Sequence, residues 1–346
     1  MIHFFPTFSK DAANSPFAHA LQNLGVEHKI FAGEVLLRYR HRIWLILIGL
    51  PKLGFFAIRS AWKSLVISNP KPEAVVVGSH LEALVFSAAR CVLRRKTRIY
   101  LLGFILTRRK NALFDRVRRY YFEHLFATLN GILCHSSIEC KRYDALFPRA
   151  RGRFVFVPVG VHITGYEERS KFVDPAESYA LSAGRSGRDY ATLCLTFRDT
   201  GYPLHIVCDA ESALANCTAA ENIKMLKRCY DSCYKSELRN AGMVVIPIGV
   251  TDISAGQMVL IQAMAYRKPL IVTRTPTVVE YLTHEMNALL IPPGDKEALR
   301  VAVDRLRNDK QLAARLTENG FVHYEEHHSM NAFVKHIVNA VTPHSA

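Results

Sequence analysis

The chain has 346 residues, with 45 Lys+Arg against 30 Asp+Glu and a net charge of +15. At roughly 150 residues per domain this is room for two domains, and 49% hydrophobic with 10% aromatic content excludes a disordered chain. The charge is lopsided: residues 1–173 carry 27 Lys+Arg and 11 Asp+Glu, a net of +16, whereas residues 174–346 carry 18 and 19, a net of −1.

Short β-rich runs alternate with helical patterns along the whole chain. In the first half, strands are predicted at Ile2–Phe5, His28–Phe31, Ala74–Gly78, Arg98–Leu102, Gly131–Cys134 and Arg153–Val157. Helices fall between them, near 16–24, 42–67, 80–94, 112–129 and 136–146. In the second half, strands are predicted at Tyr179–Ser182, Leu204–Cys208, Met243–Ile248, Leu270–Thr273 and Ala288–Ile291. The helical patterns there lie near 189–199, 233–240, 256–266, 277–282, 295–308, 310–318 and 329–341. Strands alternating with helices argue for parallel sheets flanked by helices. Two such series predict an α/β protein of two doubly wound, Rossmann-like domains with a cleft between them. The stretch Val159–Glu177 interrupts the pattern with Gly160, Gly165, Pro175 and the charge run Glu167-Glu-Arg-Ser-Lys171, and reads as a linker. The expected division is a first domain over 1–165, a second over 175–325, and a final helical segment over 326–346 packing back toward the first domain.

Eight cysteines are present, several inside apolar runs such as Gly131-Ile-Leu-Cys134, where they behave as small buried hydrophobes. Cys229 and Cys233 are spaced by four, but no second pair or nearby His completes a zinc set. The expectation is reduced thiols and a cytoplasmic protein. The N-terminus has no secretory pattern. No run reaches the ~18 uninterrupted apolar residues of a membrane span; Pro51 and Lys52 break the longest candidate, Ile43–Leu50.

In open parallel sheets, ligands sit beyond the carboxyl ends of the strands. Two second-half loops at such ends stand out. In Tyr179–Tyr190 a strand runs through Gly184 and Gly187 into a helix. The glycines let backbone pass close to a ligand, and Arg185 and Arg188 are two guanidinium groups able to grip phosphate oxygens. In Thr251–Ala265, Ser254 is the expected N-cap, with Gln257 at capping-box spacing. The N–H groups around Ala255, Gly256 and Gln257 would then face an anion. Gln262 follows Ser254 by about two turns. The plain alternatives are an ordinary strand–helix turn and a capped helix.

Together, Ala180–Leu193, Ser254–Thr273 and Ala288–Leu299 resemble the nucleotide-sugar domain of GT-B glycosyltransferases, in particular the large retaining family 4. Gln262-Ala-Met-Ala-Tyr-Arg-Lys-Pro-Leu-Ile271 is similar to that family's "Glu-Ala-Met-Ala-x-Gly-Lys-Pro-Val-Ile". Val155–Val161 resembles the segment that closes its first domain, and His135–Glu139 the stretch just before it. The similarity covers residues from about 130 to 310 and is weak before them. It implies that Gly184, Arg185, Arg188, Asp252, Ser254, Ala255, Gly256, Gln257 and Gln262 bind the donor. No cofactor is implied, since the nucleotide-sugar is a substrate, and no metal is required. The family's Glu-x7-Glu pair is here Ser254 and Gln262, so both carboxylates are missing. Asp252, in the preceding loop, is the substitute carboxylate. No His follows Arg98–Leu102, where many members carry one. Inverting chemistry would need a general base, and His80, after strand Ala74–Gly78, is the candidate.

The basic excess remains. Arg38, Arg40, Arg42 and Trp44 lead into an apolar stretch that ends near Trp62 and Lys63; Arg108 and Arg109 add further cations. Apolar, basic and Trp residues together make an interfacial helix, and the expected partner is an anionic membrane surface with a lipid-linked glycan acceptor. The expected activity is sugar transfer from a nucleotide-sugar to that acceptor by a protein peripheral to the inner membrane face. The alternatives are a catalytically silent GT-B module that binds a membrane or partner, and a solvated basic surface. Nucleic acid is disfavoured, because no recognition motif accompanies the charge.

Overall fold

The computed structural model describes residues 1–5, 14–31, 45–107, 111–163, 172–217, 220–249 and 254–342. The chain forms two units, one of residues 1–158 with 333–346 and one of residues 159–332.

The first unit is built on a parallel six-stranded sheet: β1 (Ile2–Phe5), β2 (His28–Ile30), β3 (Ala74–Val77), β4 (Arg98–Leu102), β5 (Gly131–Cys134) and β6 (Phe154–Phe156), in the order β2-β1-β3-β4-β5-β6. The helices between strands are α1 (Pro16–Asn23), α2 (Leu50–Trp62), α3 (His80–Val92), α4 (Ala112–Phe126) and α5 (Ser137–Leu146); α12 (Met330–Val341) ends the described chain. One-turn π-helical segments, Leu45–Gly49 and Lys63–Ile67, extend α2 at both ends. The steps β2→β3, β3→β4, β4→β5 and β5→β6 all run in one direction. Right-handed crossovers therefore place α2 to α5 on one face of the sheet and α1 on the other. Capping fixes the starts: Ser79 caps α3, Asn111 caps α4 and Ser136 caps α5.

The second unit has β7 (Ala180–Ala183), β8 (Leu204–Val207), β9 (Ile223–Leu226), β10 (Met243–Ile246), β11 (Leu270–Thr273) and β12 (Leu289–Ile291) in the order β12-β11-β10-β7-β8-β9, all parallel. Its helices are α6 (Tyr190–Thr200), α7 (Glu211–Leu214), α8 (Ser232–Asn240), α9 (Gln257–Ala265), α10 (Lys296–Asn308) and α11 (Lys310–His327). β3, β5, β7, β10 and β11 are buried at every position. That is why they read in sequence as unbroken apolar runs instead of alternating ones. One core packs α8 and α9 on one face of this sheet, through Leu238, Leu260, Ile261 and Met264. Another packs α6 and α10 on the other face, through Leu193, Phe197, Val303 and Leu306. Both units have the two-sided α/β layering expected from the sequence.

Three expectations are corrected. Cys194–Cys217 and Cys229–Cys233 are disulfides, with Cα separations of 5.5 and 5.1 Å, within the range a bridge requires. Reduced thiols hold for Cys91, Cys134, Cys140 and Cys208. The first pair escapes a sequence reading because only the fold brings α6 beside the segment before β9. Residues 277–282 form no helix. They form turns, in which Val278 N–H donates to the Thr275 hydroxyl and the isolated helical bonds, Val279 N–H to Thr275 O and Leu282 N–H to Val278 O, do not continue into a helix. β9 is an additional edge strand. Among the described residues, no helix is long and apolar enough to cross a membrane.

Candidate functional site

In the second unit the chain leaves β7 toward β8 on one side and later returns through β10 on the other. β7 and β10 are neighbours, so the strand order reverses between them, which is where doubly wound sheets open a ligand crevice. The loops after these strands are tied together. Asp189 N–H donates to Pro247 O (3.0 Å), Gly249 N–H donates to Gly187 O (2.9 Å), and Arg188 and Ile248 form an antiparallel bridge.

Arg188 occupies the centre of this junction. Its Nε donates to Ala183 O (2.9 Å) and one Nη donates to Ser186 O (3.0 Å). Those bonds fold the guanidinium back over Gly184, whose φ is 112°. A Cβ at Gly184 would stand 2.5 Å from an Arg188 Nη, so glycine is the residue that fits here. A Cβ at Gly256 would lie 3.7 Å from the other Nη, so the guanidinium lies between the two glycines. Burial pushes the Arg188 pKa down. Arg185 takes a different course: it is exposed, and its charge acts on Asp209 and Tyr230.

Gly256, with φ 92°, is the N-cap of α9, which begins at Gln257. Ser254 is therefore not the cap. The left-handed turn at Gly256 starts the helix two residues later than the capping-box spacing requires, and the N-cap has no side chain to bond. The N–H groups without an intrahelical acceptor belong to the first turn, Gln257 to Val259, near Arg188. Gln257 is 7% exposed, and its Nε2 has no partner among the described residues. Ala255 is buried just before it.

Gln262, two turns into α9, accepts through Oε1 from the Tyr234 hydroxyl (3.1 Å). Tyr234, on the first turn of α8, has its pKa raised by burial while Arg188 opposes the shift, so the two are electrostatic neighbours. Tyr230, four residues before it and outside the helix, donates to Asp209, which also accepts from Arg228 N–H at 2.6 Å. These bonds hold the Asp209 carboxyl below its ordinary value. Tyr234 and Tyr230 were not singled out by the sequence, and Asp209 was marked for its backbone, not for its carboxylate. The loops that carry them become neighbours once β8, β9 and α8 assemble, so no local pattern marks them.

The first unit has its own switch point between β1 and β3, where His80 opens α3. Its ring lies edge-on to Tyr121 and Phe122, with Nδ1 3.4 Å from the Tyr121 hydroxyl, and desolvation lowers its pKa. Glu82, in the same helical turn, is fully buried, accepts from the Ser79 hydroxyl (2.8 Å) and is pushed up to about 7 by burial. His135, at the end of β5, donates from Nδ1 to Val157 O (2.8 Å), and burial lowers its pKa. Its Nε2 would stand 3.5 Å from a Cβ at Gly103, just past β4. Trp62 and Lys63 are exposed at the end of α2. Asp252, Arg38, Arg40, Arg42, Trp44, Arg108 and Arg109 lie outside the described residues.

Residues 208–323 match the model of the glycosyl transferases group 1 family. No curated protein matches the sequence. Among solved structures, the chain is similar to sucrose-phosphate synthase from Thermosynechococcus elongatus, at 15% identity and a TM-score of 0.68, over 98% of this chain and 97% of that one. It is also similar to HepE from Anabaena in complex with UDP and glucose, at 12% identity and 0.65, over 98% of both chains. A third is the lipopolysaccharide outer core galactosyltransferase WaaB, at 14% and 0.62, again over 98% of both. The fold is GT-B, two Rossmann-like α/β units, and over residues 208–323 the chain matches a family of glycosyl transferases.

Proposed function

We propose that this GT-B glycosyltransferase passes a sugar from its nucleotide-sugar donor to a lipid-linked or polysaccharide-precursor acceptor at the cytoplasmic face of a membrane, with retention of configuration and without a metal. The observation that carries the donor half is the junction of Gly184, Arg188 and Gly256 at the first turn of α9. A nucleoside diphosphate departs as an anion, so its developing charge must be stabilised. Among the described residues, the desolvated Arg188 cation bonds to two neutral carbonyls, Ala183 O and Ser186 O. The first-turn N–H groups of α9, which lack intrahelical acceptors, and the Gln257 Nε2, without a partner among the described residues, add donors at the positive end of a helix. Gln262, oriented by Tyr234, is suited to a ribose hydroxyl. The Arg185 charge reaches Asp209 and Tyr230 beyond β8, and Asp252 stands two residues before Ser254 in the sequence. With cationic and dipolar groups in place for the diphosphate, a metal has no required role.

The acceptor half rests on charge. The +16 of residues 1–173 suits a phosphorylated, membrane-held acceptor and the negative cytoplasmic leaflet. WaaB, similar in fold, is named for a lipopolysaccharide substrate, and HepE holds UDP, so a uridine donor is the first to test. The cysteine argument for a reducing compartment does not carry over to the four bridged residues; the cytoplasmic placement rests on the charge.

The test is a donor panel on the purified protein with membrane extract, following nucleoside diphosphate release. Release from at least one nucleotide-sugar, undiminished by a chelator, is expected. No release from any donor together with no nucleoside diphosphate binding overturns the proposal. The product anomer decides the stereochemistry: an inverted anomer would reject retention and make His80 the base.

A further inference from the structure

The helix layer of the first unit is apolar on the side where such layers are ordinarily polar. α2 is buried on one side through Leu53, Ala57 and Ala61. On its other side Phe55, Ile58 and Trp62 are 69, 61 and 58% exposed, and their spacings of three and four put them on one stripe. α3 packs along α2 and turns Leu84 and Val92 to solvent. α4 lies on the far side of α3: the His80 ring meets Tyr121 and Phe122, and Arg90 donates to Thr128 O just past the end of α4. It shows Leu113, Val117 and Tyr120, again one stripe, all more than half exposed. Single exposed apolar side chains need no explanation, but apolar stripes on three adjacent helices of one face mark an interaction surface.

The charge around that face says what covers it. Lys52, Arg59 and Lys63 are exposed at positions i, i+7 and i+11 of α2, a row beside the apolar stripe, and none pairs with a carboxylate among the described residues. From Lys52 to Lys71 the sequence has four Lys+Arg and no Asp or Glu. A second copy of the chain would set these cations against themselves, because a two-fold interface pairs a patch with its own image. An anionic bilayer satisfies both features. Apolar side chains enter the boundary between headgroups and acyl chains, and the lysine and arginine stems lie along it with their charges at the phosphates.

We infer that the α2–α3–α4 face is the surface by which the protein docks on an anionic phospholipid bilayer, with Phe55, Ile58 and Trp62 inserted and Lys52, Arg59 and Lys63 on the headgroups. This rests on the membrane reading proposed above and narrows it from basic segments to one face, adding the outward sides of α3 and α4.

The test uses the full-length protein and vesicles of phosphatidylcholine with and without phosphatidylglycerol. In the Trp44→Phe protein Trp62 is the remaining tryptophan. Its emission shifts to the blue with anionic vesicles and is quenched by brominated acyl chains; with phosphatidylcholine alone the shift is small. Lys52→Glu/Arg59→Glu/Lys63→Glu weakens co-sedimentation by about a hundredfold or more, at a contribution of roughly fivefold per cation. Phe55→Ser/Val117→Ser, at exposed positions on two different helices, weakens it as well and leaves thermal stability unchanged. Nucleoside diphosphate binding is measured on every preparation. If it persists while anionic vesicles neither shift Trp62 nor sediment the protein, the docking inference fails and the enzyme reading stands. Sedimentation that ignores the charge reversal, or a dimer that hides Trp62 from vesicles, also overturns the inference.

Discussion

Replacing Arg188 by methionine separates a ligand-directed cation from a structural brace. The guanidinium donates to Ala183 O at 2.9 Å and Ser186 O at 3.0 Å. Hydrogen bonds from a charged donor contribute about 1.5–3 kcal/mol each. Against them stands the desolvation of a cation that bonds no carboxylate among the described residues, several kcal/mol in real proteins. Burial that lowers the Arg188 pKa is the sign of that cost. The terms oppose each other, and methionine fills much of the same volume. The expected stability change is within about 1 kcal/mol of zero, or about 2–4 °C in Tm for a domain of this size. Turnover responds differently. A preorganised donor aimed at developing charge is worth about 10²–10³ in rate, so kcat for the best nucleotide-sugar should fall by that factor in Arg188→Met. Scanning calorimetry and initial rates of diphosphate release on the same preparation give both numbers. A fall in Tm of more than about 10 °C with a proportionate loss of rate would make Arg188 a brace. A rate within about threefold of wild type would remove it from the chemistry altogether.

Other outcomes follow from neighbouring contacts. Tyr234→Phe removes the hydroxyl that Gln262 Oε1 accepts from, and nucleoside diphosphate affinity by calorimetry should weaken about five- to tenfold, the worth of one oriented hydrogen bond. Glu82 has its carboxyl raised from 4.5 to about 7 by burial. Between those values the unfolded state binds fewer protons, so stability falls as pH rises, by about 3 kcal/mol in all; Glu82→Gln should abolish that slope in denaturant titrations between pH 4.5 and 7. Lys268, 2% exposed and bonded to Arg239 O, is lowered from 10.5 to about 7. Here the unfolded state binds more protons between pH 7 and 10.5, so stability rises across that window by up to about 5 kcal/mol. Lys268→Met should raise Tm at pH 7 and flatten the alkaline rise; an unchanged pH profile would contradict the burial cost.

What the sequence disclosed and what it hid have physical causes. Strands buried on both faces, such as Ala74-Val-Val-Val77 and Leu270-Ile-Val-Thr273, announce themselves because a parallel sheet covered on both sides needs apolar residues at every position. Ile223-Lys-Met-Leu226 did not, because it is an edge strand with an exposed lysine. Gly184 and Arg188 were legible from a strand running into small residues and arginines, and they meet. That Arg188 turns inward while Arg185 stays exposed depends on Ala183 O and Ser186 O, which every sequence supplies. Ser254 looked like a cap because its spacing to Gln257 fits. A glycine at 256 able to take φ 92° gave the backbone a different start. Tyr234 and Asp209 belong to loops that become neighbours once β8 and β9 pair, and local patterns do not carry that information.

The most direct measurement is a structure of the protein bound to the nucleoside diphosphate it prefers in calorimetry. The predicted result is a diphosphate within hydrogen-bonding distance of the Arg188 guanidinium and the first-turn N–H groups of α9, with a ribose hydroxyl on Gln262. A diphosphate bound away from the junction of Gly184, Arg188 and Gly256 would contradict the account.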